Sequence, residues 1–222
     1  MDDLQLRACY VVDQWALFSN VSRHYLFIKR VFDIIVSLLA IILLLPLFLV
    51  VAVVIKLDSR GPVLFIQERN GHRGKQFKMY KFRSMVEDAE CNICMLEDKN
   101  EASGYMFKIK KDPRITHIGK IIRKTSIDEL PQLLNVLKGE MSIVGPRPPI
   151  PREVVKYDAW HNLRLSVIPG LTGLWQVSGR NDLGFEEMVR LDLKYIRERS
   201  IKYDLKIILK TIPVLFGDNS AF

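Results

Sequence analysis

The chain has 222 residues, a length that suits one compact domain with an anchor and excludes two large domains. Lysine and arginine number 33 against 25 aspartate and glutamate, and the formal net charge of +8 favours anionic lipids, nucleic acids or phosphorylated metabolites as partners. Three cysteines are too few, and odd in number, for the disulfide framework of a small secreted domain. The composition therefore favours a reducing compartment and an anionic partner.

The N-terminal part of the chain has the composition of a membrane segment. Residues 1–28 mix aromatic with basic side chains, and we predict a leader that lies at the level of the lipid headgroups. Residues 34–55 carry no charge and are apolar apart from one serine and one proline, a stretch long enough for the bilayer core. We therefore predict that residues 29–57 are the membrane segment and that residues 58–222 form a separate domain.

The residues alone leave the path of this segment open. Lys29 and Arg30 precede it and Lys56 and Arg60 follow it, so the distribution of positive charge gives no orientation. Pro46 lies near the middle, where its missing N–H weakens the helical hydrogen bonding and favours a kink. A re-entrant helix that returns to the same side fits these features, and so does a gently kinked span.

After the membrane segment, the first predicted element is a β-hairpin. Short apolar runs at 63–68 and 76–82 flank a turn-rich stretch at 70–74. Residues 87–104 are polar and without a regular pattern, which indicates a surface loop.

Two helices are predicted next, at 115–123 and 126–137. The second begins at Ser126, which we expect to cap it, and Gly139 follows its end. Two adjacent acidic residues then fall in its first turn.

The C-terminal third alternates stiff loops with helices. Residues 144–151 contain four prolines and are predicted to be a rigid loop, and residues 186–198 return to a helical pattern. Residues 201–216 form a predicted amphipathic helix with a basic face, which either lies on anionic lipid or covers the core with solvated lysines.

The acidic pair Asp128 and Glu129 is the strongest candidate for chemistry. Adjacent carboxylates at a helix start commonly do no more than interact favourably with the positive end of the helix dipole. They also suit Mg²⁺ binding and nucleophilic attack on phosphorus. Several cations of the sequence can converge on the pair: Lys81, Arg83, Arg123, Lys124 and Arg147. Because arginine matches phosphate geometry, this combination predicts a site for an anionic phosphorylated substrate.

A series of motifs in fixed order resembles the bacterial sugar transferases, the monotopic phosphoglycosyl transferases. The motifs are Lys29-Arg30 with Phe32-Asp33, Tyr80-Lys81-Phe82-Arg83-Ser84-Met85, Asp112-Pro113-Arg114, Arg123 to Gln132, Val144-Gly145-Pro146-Arg147-Pro148, and Pro169 to Asn181. One departure is Leu45 before Pro46, where such proteins often have serine.

The resemblance implies an α+β fold, mainly helical. It implies a re-entrant membrane helix broken at Pro46, with a small catalytic domain on the cytoplasmic face of the bacterial inner membrane. A β-hairpin and amphipathic interfacial helices belong to that domain. A homodimer is compatible with this arrangement.

The resemblance also implies a reaction. Asp128 would attack the β-phosphorus of a UDP-sugar, release UMP and form a phosphosugar-aspartyl intermediate, which undecaprenyl phosphate then attacks. Glu129, with Asp128, would hold Mg²⁺. The residues expected to bind substrate are Lys81, Arg83, Arg123, Arg147, Arg180 and Asn181. Residues 175–182 favour UDP-galactose or UDP-glucose, in the first membrane step of exopolysaccharide, capsule or O-antigen assembly.

Two other functions compete with this one. A polyprenyl-phosphate glycosyltransferase would move the sugar without its phosphate and release UDP. A non-enzymatic membrane scaffold would use its charge to bind anionic lipid. Nucleic-acid binding is disfavoured, because no known nucleic-acid-binding motif occurs in the sequence.

Overall fold

The computed structural model describes residues 21–89, 101, 109, 112–179 and 183–215. The α-helices are α1 (Arg23–Asp58), α2 (His117–Lys124), α3 (Leu133–Lys138), α4 (Pro151–Val154), α5 (Ala159–Asn162), α6 (Phe185–Glu198) and α7 (Ile201–Leu215). The strands are β1 (Leu64–Asn70), β2 (Gln76–Phe82), β3 (Ser142–Val144) and β4 (Gly170–Thr172). Short 3₁₀ helices cover His72–Gly74, Ile127–Gln132, Leu163–Ser166 and Trp175–Val177. The fold is thus mainly helical with a β-hairpin, as predicted, and a second small sheet, in which β3 and β4 pair in parallel, was not predicted.

Helix α1 is the predicted membrane segment. It begins at Arg23, ahead of the expected start at residue 29, where the Ser22 hydroxyl accepts a hydrogen bond from the His24 N–H. Its length and composition are sufficient to cross a membrane, and most of its apolar side chains are exposed. Pro46 lies inside the helix, which continues on both sides of this proline. The predicted leader lies mostly outside the described residues, and the re-entrant bend stays a prediction.

Both ends of α1 contact the rest of the protein. Near its N-terminus, Arg30 donates to the carbonyls of Val136 and Leu137 at 2.6 and 2.7 Å. At its C-terminus, Ile55 is buried in a cluster with Phe82, among others. One domain therefore holds the two ends of the same apolar helix.

The predicted β-hairpin is confirmed. Strands β1 and β2 pair antiparallel from Leu64 opposite Phe82 to Asn70 opposite Gln76. The turn between them contains Arg73 at a φ of 56°. The hairpin brings the end of β2 beside the start of β1, close to the end of α1.

The segment that carries the acidic pair differs from the prediction. A 3₁₀ helix at Ile127–Gln132, which contains Pro131, precedes α3 where one continuous helix was expected. Ser126 is not a cap, since its backbone is left-handed at a φ of 54° and its side chain makes no capping hydrogen bond. Gly139 ends α3 in a left-handed conformation, as predicted.

The main core lies between α1, α3, β2 and the C-terminal helices. Its members are Phe77, Met79, Leu133, Val136, Met141, Ile143, Val144, Leu174, Tyr195, Ile196 and Ile207. Val36, Ala40 and Ile41 of α1 pack against this cluster. Helix α1 is therefore part of the core of the domain.

Helix α7 confirms the C-terminal helical prediction. Ile207 is buried against the core, whereas Lys202, Lys206 and Lys210 are exposed. Leu209 is also exposed, so apolar and basic side chains share the outer surface of the helix. Contact of this surface with lipid stays a prediction.

Candidate functional site

A cavity of about 650 Å³ lies between the β-hairpin, α2 and the proline-rich loop. Its lining is strongly cationic: Arg69, Lys81, Arg83, Arg114, Arg123, Arg147, Arg152 and Arg164 contribute to it. The carboxylates in the lining are Glu87, Asp128 and Glu153. A cavity of this size and charge suits a ligand with several phosphate oxygens.

Asp128 lies in the lining with its side chain largely buried. It is 8% exposed, and it sits in the first turn of the 3₁₀ helix. Burial raises the pKa of Asp128 to about 6, while the cation of Lys81 opposes this shift and the neighbouring Glu129 adds to it. The carboxylate is thus shielded from water among cations, and a desolvated carboxylate of this kind is reactive once it is ionised.

Glu129 is held by two cations. Lys81 Nζ donates to its Oε1 at 2.6 Å, and an Arg147 guanidinium nitrogen lies 3.5 Å from the same oxygen. Burial lowers the pKa of Lys81, and the charge of Glu129 counters that effect. The two adjacent carboxylates therefore have different environments, one buried in the cavity and one ion-paired.

Asn135 fixes the hairpin against the 3₁₀ helix and α3. Its side-chain oxygen accepts from the Tyr80 N–H at 3.1 Å, and its amide nitrogen donates to the Lys78 carbonyl at 2.7 Å. These are the bonds that a neighbouring strand would make with β2. Because Lys81 follows Tyr80, this contact sets where the lysine meets Glu129.

The proline-rich loop places Arg147 by close backbone packing. The Gly170 N–H donates to the Pro146 carbonyl at 2.8 Å, and the Gly145 N–H donates to the Thr172 carbonyl at 2.8 Å. A Cβ built at Gly170 would overlap the backbone of Gly145, so only glycine permits this approach. The predicted loop is confirmed for residues 145–150, between β3 and α4, and its rigidity stays a prediction.

A buried ion pair also holds the proline-rich loop in place. Arg164 and Asp192 are both almost fully buried, with nitrogen and oxygen 2.5 Å apart. Arg164 also donates to the Arg147 carbonyl at 3.3 Å and to the Tyr157 hydroxyl at 2.9 Å. The position of Arg147 thus depends on a residue from the 3₁₀ helix Leu163–Ser166.

The structure brings together most residues that the sequence predicted for the site. Lys81, Arg83, Arg123, Asp128 and Arg147 all line the cavity, and Glu129 contacts two of them. Lys124 is exposed and is absent from the lining. Arg180 and Asn181 lie outside the described residues, so their predicted roles stay untested.

Sequence reasoning missed Arg69, Arg152 and Arg164. Arg69 donates to the Pro148 carbonyl at 3.0 Å, and burial together with the nearby Arg147 lowers its pKa to about 9. These arginines come from a strand, a short helix and a 3₁₀ helix that meet only in the folded protein. Nothing in their local sequence distinguishes them from solvated surface arginines.

The acidic pair fits Mg²⁺ only together with substrate. Among the described residues, no cluster of three or more histidine, cysteine, aspartate or glutamate side chains exists that would hold a metal alone. Mg²⁺ is commonly bound by one or two carboxylates plus substrate phosphates, and Asp128 with Glu129 supplies that number. In such a site, the ion would neutralise phosphate charge that otherwise repels a carboxylate.

The comparison with protein families decides the assignment. The family model described as bacterial sugar transferase matches residues 24–218. The chain belongs to the bacterial sugar transferase family. The predicted resemblance is thereby confirmed, and the match covers both α1 and the cavity.

Three relatives illustrate this family. The chain is 50% identical over 200 residues to a galactosyl transferase, CpsE, of Streptococcus agalactiae, covering 89% of this chain and 44% of that protein. It is 44% identical over 191 residues to the exopolysaccharide production protein ExoY of Sinorhizobium fredii, covering 84% of each. It is 44% identical over 207 residues to an undecaprenyl-phosphate glucose phosphotransferase of Komagataeibacter xylinus, covering 87% of this chain and 37% of that protein. The chain thus spans less than half of two of these relatives and most of the third.

Proposed function

We propose that this protein transfers a hexose 1-phosphate from a UDP-sugar to undecaprenyl phosphate and releases UMP. The observation that carries the proposal is Asp128, a buried carboxylate in a cavity lined by arginine and lysine. A pyrophosphate substrate matches the charge of the lining, and a carboxylate with a raised pKa suits nucleophilic attack. The names of the relatives support undecaprenyl phosphate as the acceptor and galactose or glucose as the sugar.

The proposed first step uses the carboxylate of Asp128. One of its oxygens forms a bond to the β-phosphorus, and the bond from that phosphorus to the bridging oxygen breaks, so UMP leaves with that oxygen. Arg123 and Arg147 lie where they balance charge on the phosphate oxygens. Mg²⁺ held by Asp128 and Glu129 would supply further neutralisation.

The proposed second step regenerates the enzyme. A phosphate oxygen of the lipid acceptor bonds to the same phosphorus, and the bond between phosphorus and the Asp128 carboxylate breaks. The product is a lipid diphosphate sugar, a suitable first intermediate for exopolysaccharide or capsule assembly. Lys81 keeps Glu129 in place beside the reacting carboxylate.

The proposal includes a re-entrant path for α1 on the cytoplasmic side of the membrane. A straight helix of 36 residues would be about 54 Å long, so a membrane-spanning helix would have its ends on opposite sides. Here Arg30 and Ile55 near the two ends contact one domain. A path that returns to the side of that domain explains both contacts.

The nucleotide released from the sugar donor shows whether the phosphate is transferred with the sugar. The protein in lipid nanodiscs is incubated with Mg²⁺, undecaprenyl phosphate and UDP-galactose or UDP-glucose in turn, and UMP and UDP are measured. We expect UMP, and a phosphohexose adduct on a peptide containing Asp128 when the acceptor is omitted. Release of UDP in place of UMP would contradict the proposal and support sugar transfer without phosphate.

Asp128→Asn separates the enzyme from a lipid-binding scaffold. This variant keeps the shape of the side chain, and we expect it to lose UMP release and the covalent adduct. Asp88→Asn, at an exposed position outside the cavity lining, is the matched control and should keep both. Unchanged turnover in Asp128→Asn would rule out this residue as the nucleophile.

Labelling of single cysteines tests the path of α1. Cysteines introduced before α1 and after α7 are treated with a membrane-impermeant reagent in intact and opened cells. Protection of both in intact cells is expected. Labelling of only one in intact cells would contradict the re-entrant path.

A further inference from the structure

Arg83 occupies the end of the cavity next to the membrane helix. Its Nη2 donates to the Ser59 carbonyl at 2.8 Å and to the Ser59 hydroxyl at 3.0 Å, and Ser59 directly follows the last residue of α1. The side chain is 5% exposed. An arginine is thus fixed at the level where the apolar helix ends.

Two nitrogens of Arg83 lack partners within the described part of the chain. Nε and Nη1 are both buried and make no hydrogen bond. A buried cationic donor without an acceptor is costly, and the ligand that relieves this cost most fully is an anion with several oxygens. Since Arg83 lines the cavity, such a ligand can reach it from there.

The surroundings of Arg83 on this side are apolar. Pro62, Ile66 and Val86 line the same cavity, and Ile66 and Val86 are 52% and 41% exposed. These side chains offer a surface for a hydrocarbon chain. The site therefore combines a guanidinium that can donate hydrogen bonds to a phosphate with an apolar exit at the membrane boundary.

Arg83 shares the cavity with the carboxylate of Asp128. Its N–H bonds to the Val63 carbonyl, which continues the pairing of β2 with the chain before β1. Residues two apart on a strand share a face and lie about 7 Å apart. Arg83 and Lys81 are two apart, so they lie on the same face at about this spacing. Lys81 in turn contacts Glu129, the neighbour of Asp128.

We infer that Arg83 binds the phosphate of the membrane-anchored acceptor, while Arg123 and Arg147 serve the nucleotide donor. This inference rests on the proposed function and gives the two substrates different cationic partners within one cavity. The acceptor's chain leaves past Ile66 and Val86 towards the membrane. Its phosphate lies against the free nitrogens of Arg83 and faces the phosphorylated Asp128.

One carboxylate lies near this arginine and must be taken into account. A Cβ built at Gly61 would lie 3.1 Å from the carboxyl carbon of Glu87 and would overlap Arg83 Nη1. Glu87 is exposed, and no ion pair with Arg83 forms in the described structure. If Arg83 serves the acceptor, Glu87→Gln should leave thermal stability unchanged and leave acceptor binding equal or stronger.

The two half-reactions test the inference separately. In Arg83→Lys and Arg83→Met, we expect UMP release in the absence of acceptor and adduct formation to stay within about twofold of wild type. Transfer from the adduct to undecaprenyl phosphate should fall on the order of tenfold to a hundredfold, mainly as a higher KM for the acceptor. A loss of adduct formation equal to the loss of transfer would overturn the inference. Failure of wild type to form an adduct would instead count against the proposed function.

A second variant moves the guanidinium without removing its charge. Gly61→Ala places a Cβ against Arg83 Nη1, at a backbone φ of 112° that also disfavours alanine. We expect the acceptor KM to rise while adduct formation persists, which at the same time shows that the variant folds. An unchanged acceptor KM would contradict the assignment.

Acceptors of different chain length distinguish the contribution of the phosphate to acceptor binding from that of the hydrocarbon chain. Val86→Asn should weaken transfer to undecaprenyl phosphate but leave transfer to a short-chain polyprenyl phosphate nearly unchanged. Arg83→Met should weaken both, and inorganic phosphate should compete with the short acceptor in wild type only. Equal effects of Val86→Asn on the two acceptors would rule out the apolar exit, and competition by phosphate in Arg83→Met would rule out Arg83 as its ligand.

Discussion

Lys81 Nζ lies 2.6 Å from Oε1 of Glu129, so the carboxylate proposed to hold Mg²⁺ is already paired with a cation of the protein. Arg147 contacts the same oxygen at 3.5 Å. A metal ion that binds Glu129 therefore competes with Lys81, unless the lysine transfers its hydrogen bond to a substrate phosphate. Binding of donor and metal should consequently be coupled.

Lys81→Met should change metal binding and turnover in opposite directions. Without the competing ammonium group, Mn²⁺ used as a probe should bind more tightly to the substrate-free protein, as measured by electron paramagnetic resonance. Turnover should fall about a hundredfold or more, because a charged donor at the reacting phosphate is lost. Lys78→Met removes an exposed lysine from the same strand and serves as the control. Weaker Mn²⁺ binding in Lys81→Met would contradict the competition.

Asp128→Asn should stabilise the protein at neutral and higher pH. Burial raises the folded-state pKa of Asp128 from 3.8 to about 6, so the folded state favours the protonated acid. The stability that this provides is present below the unfolded pKa and is lost as pH rises through about 6. Above that pH, the amide variant should be more stable by up to about 3 kcal/mol, since each pKa unit corresponds to about 1.4 kcal/mol.

Thermal unfolding in metal-free buffer measures this difference. The Tm of Asp128→Asn should exceed that of wild type by several degrees at about pH 8, with a smaller gap near pH 4. Asp88→Asn should show no such pH-dependent gap. A lower Tm for Asp128→Asn at the higher pH would mean that the carboxylate stabilises the fold.

Replacing both members of the Arg164–Asp192 pair should disturb the position of Arg147 more than it lowers the free energy of unfolding. Arg164→Met alone leaves a buried carboxylate without its partner and should cost about 3 to 5 kcal/mol. The double variant with Asp192→Leu should recover most of that loss. Its KM for the UDP-sugar should stay raised, because the Arg147 carbonyl has lost its donor. Full recovery of KM in the double variant would limit Arg164 to a structural role.

Asn135→Leu should weaken the contact between β2 and the acidic pair. The variant leaves the Tyr80 N–H and the Lys78 carbonyl without their partner, at a cost of about 1 to 3 kcal/mol. We expect a lower Tm and a reduced kcat, since Lys81 loses its fixed position. Asn162→Leu, which removes an exposed local hydrogen bond, is the control. A variant with reduced Tm but unchanged kcat would show that the contact supports only the fold.

The sequence predicted those parts of the fold that depend on local patterns. The β-hairpin follows from two apolar runs around a turn, and α1 and α7 follow from their composition and periodicity. The expected cap at Ser126 was wrong because the backbone of this residue is left-handed and its side chain makes no capping hydrogen bond. Local patterns therefore identified the elements better than their internal geometry.

The site was predictable only in part, for a related reason. Asp128 and Arg147 belong to motifs that could be recognised in the sequence. Arg69 and Arg164 reach the cavity through long-range packing, which no local pattern encodes. The same holds for Arg83, whose motif was clear but whose contact with Ser59 depends on how the hairpin meets α1.

The packing of α1 into the core has a consequence for biogenesis. Val36 and Ile41 complete the main cluster, and Arg30 binds the final carbonyls of α3, so the domain lacks part of its interior until this helix is in place. The helix is synthesised before the sequence that packs on it, and in the proposed function it enters lipid at that stage. Maturation of the catalytic domain should then occur on the bilayer surface, and a version of the protein cut after Ser59 should aggregate instead of folding in water.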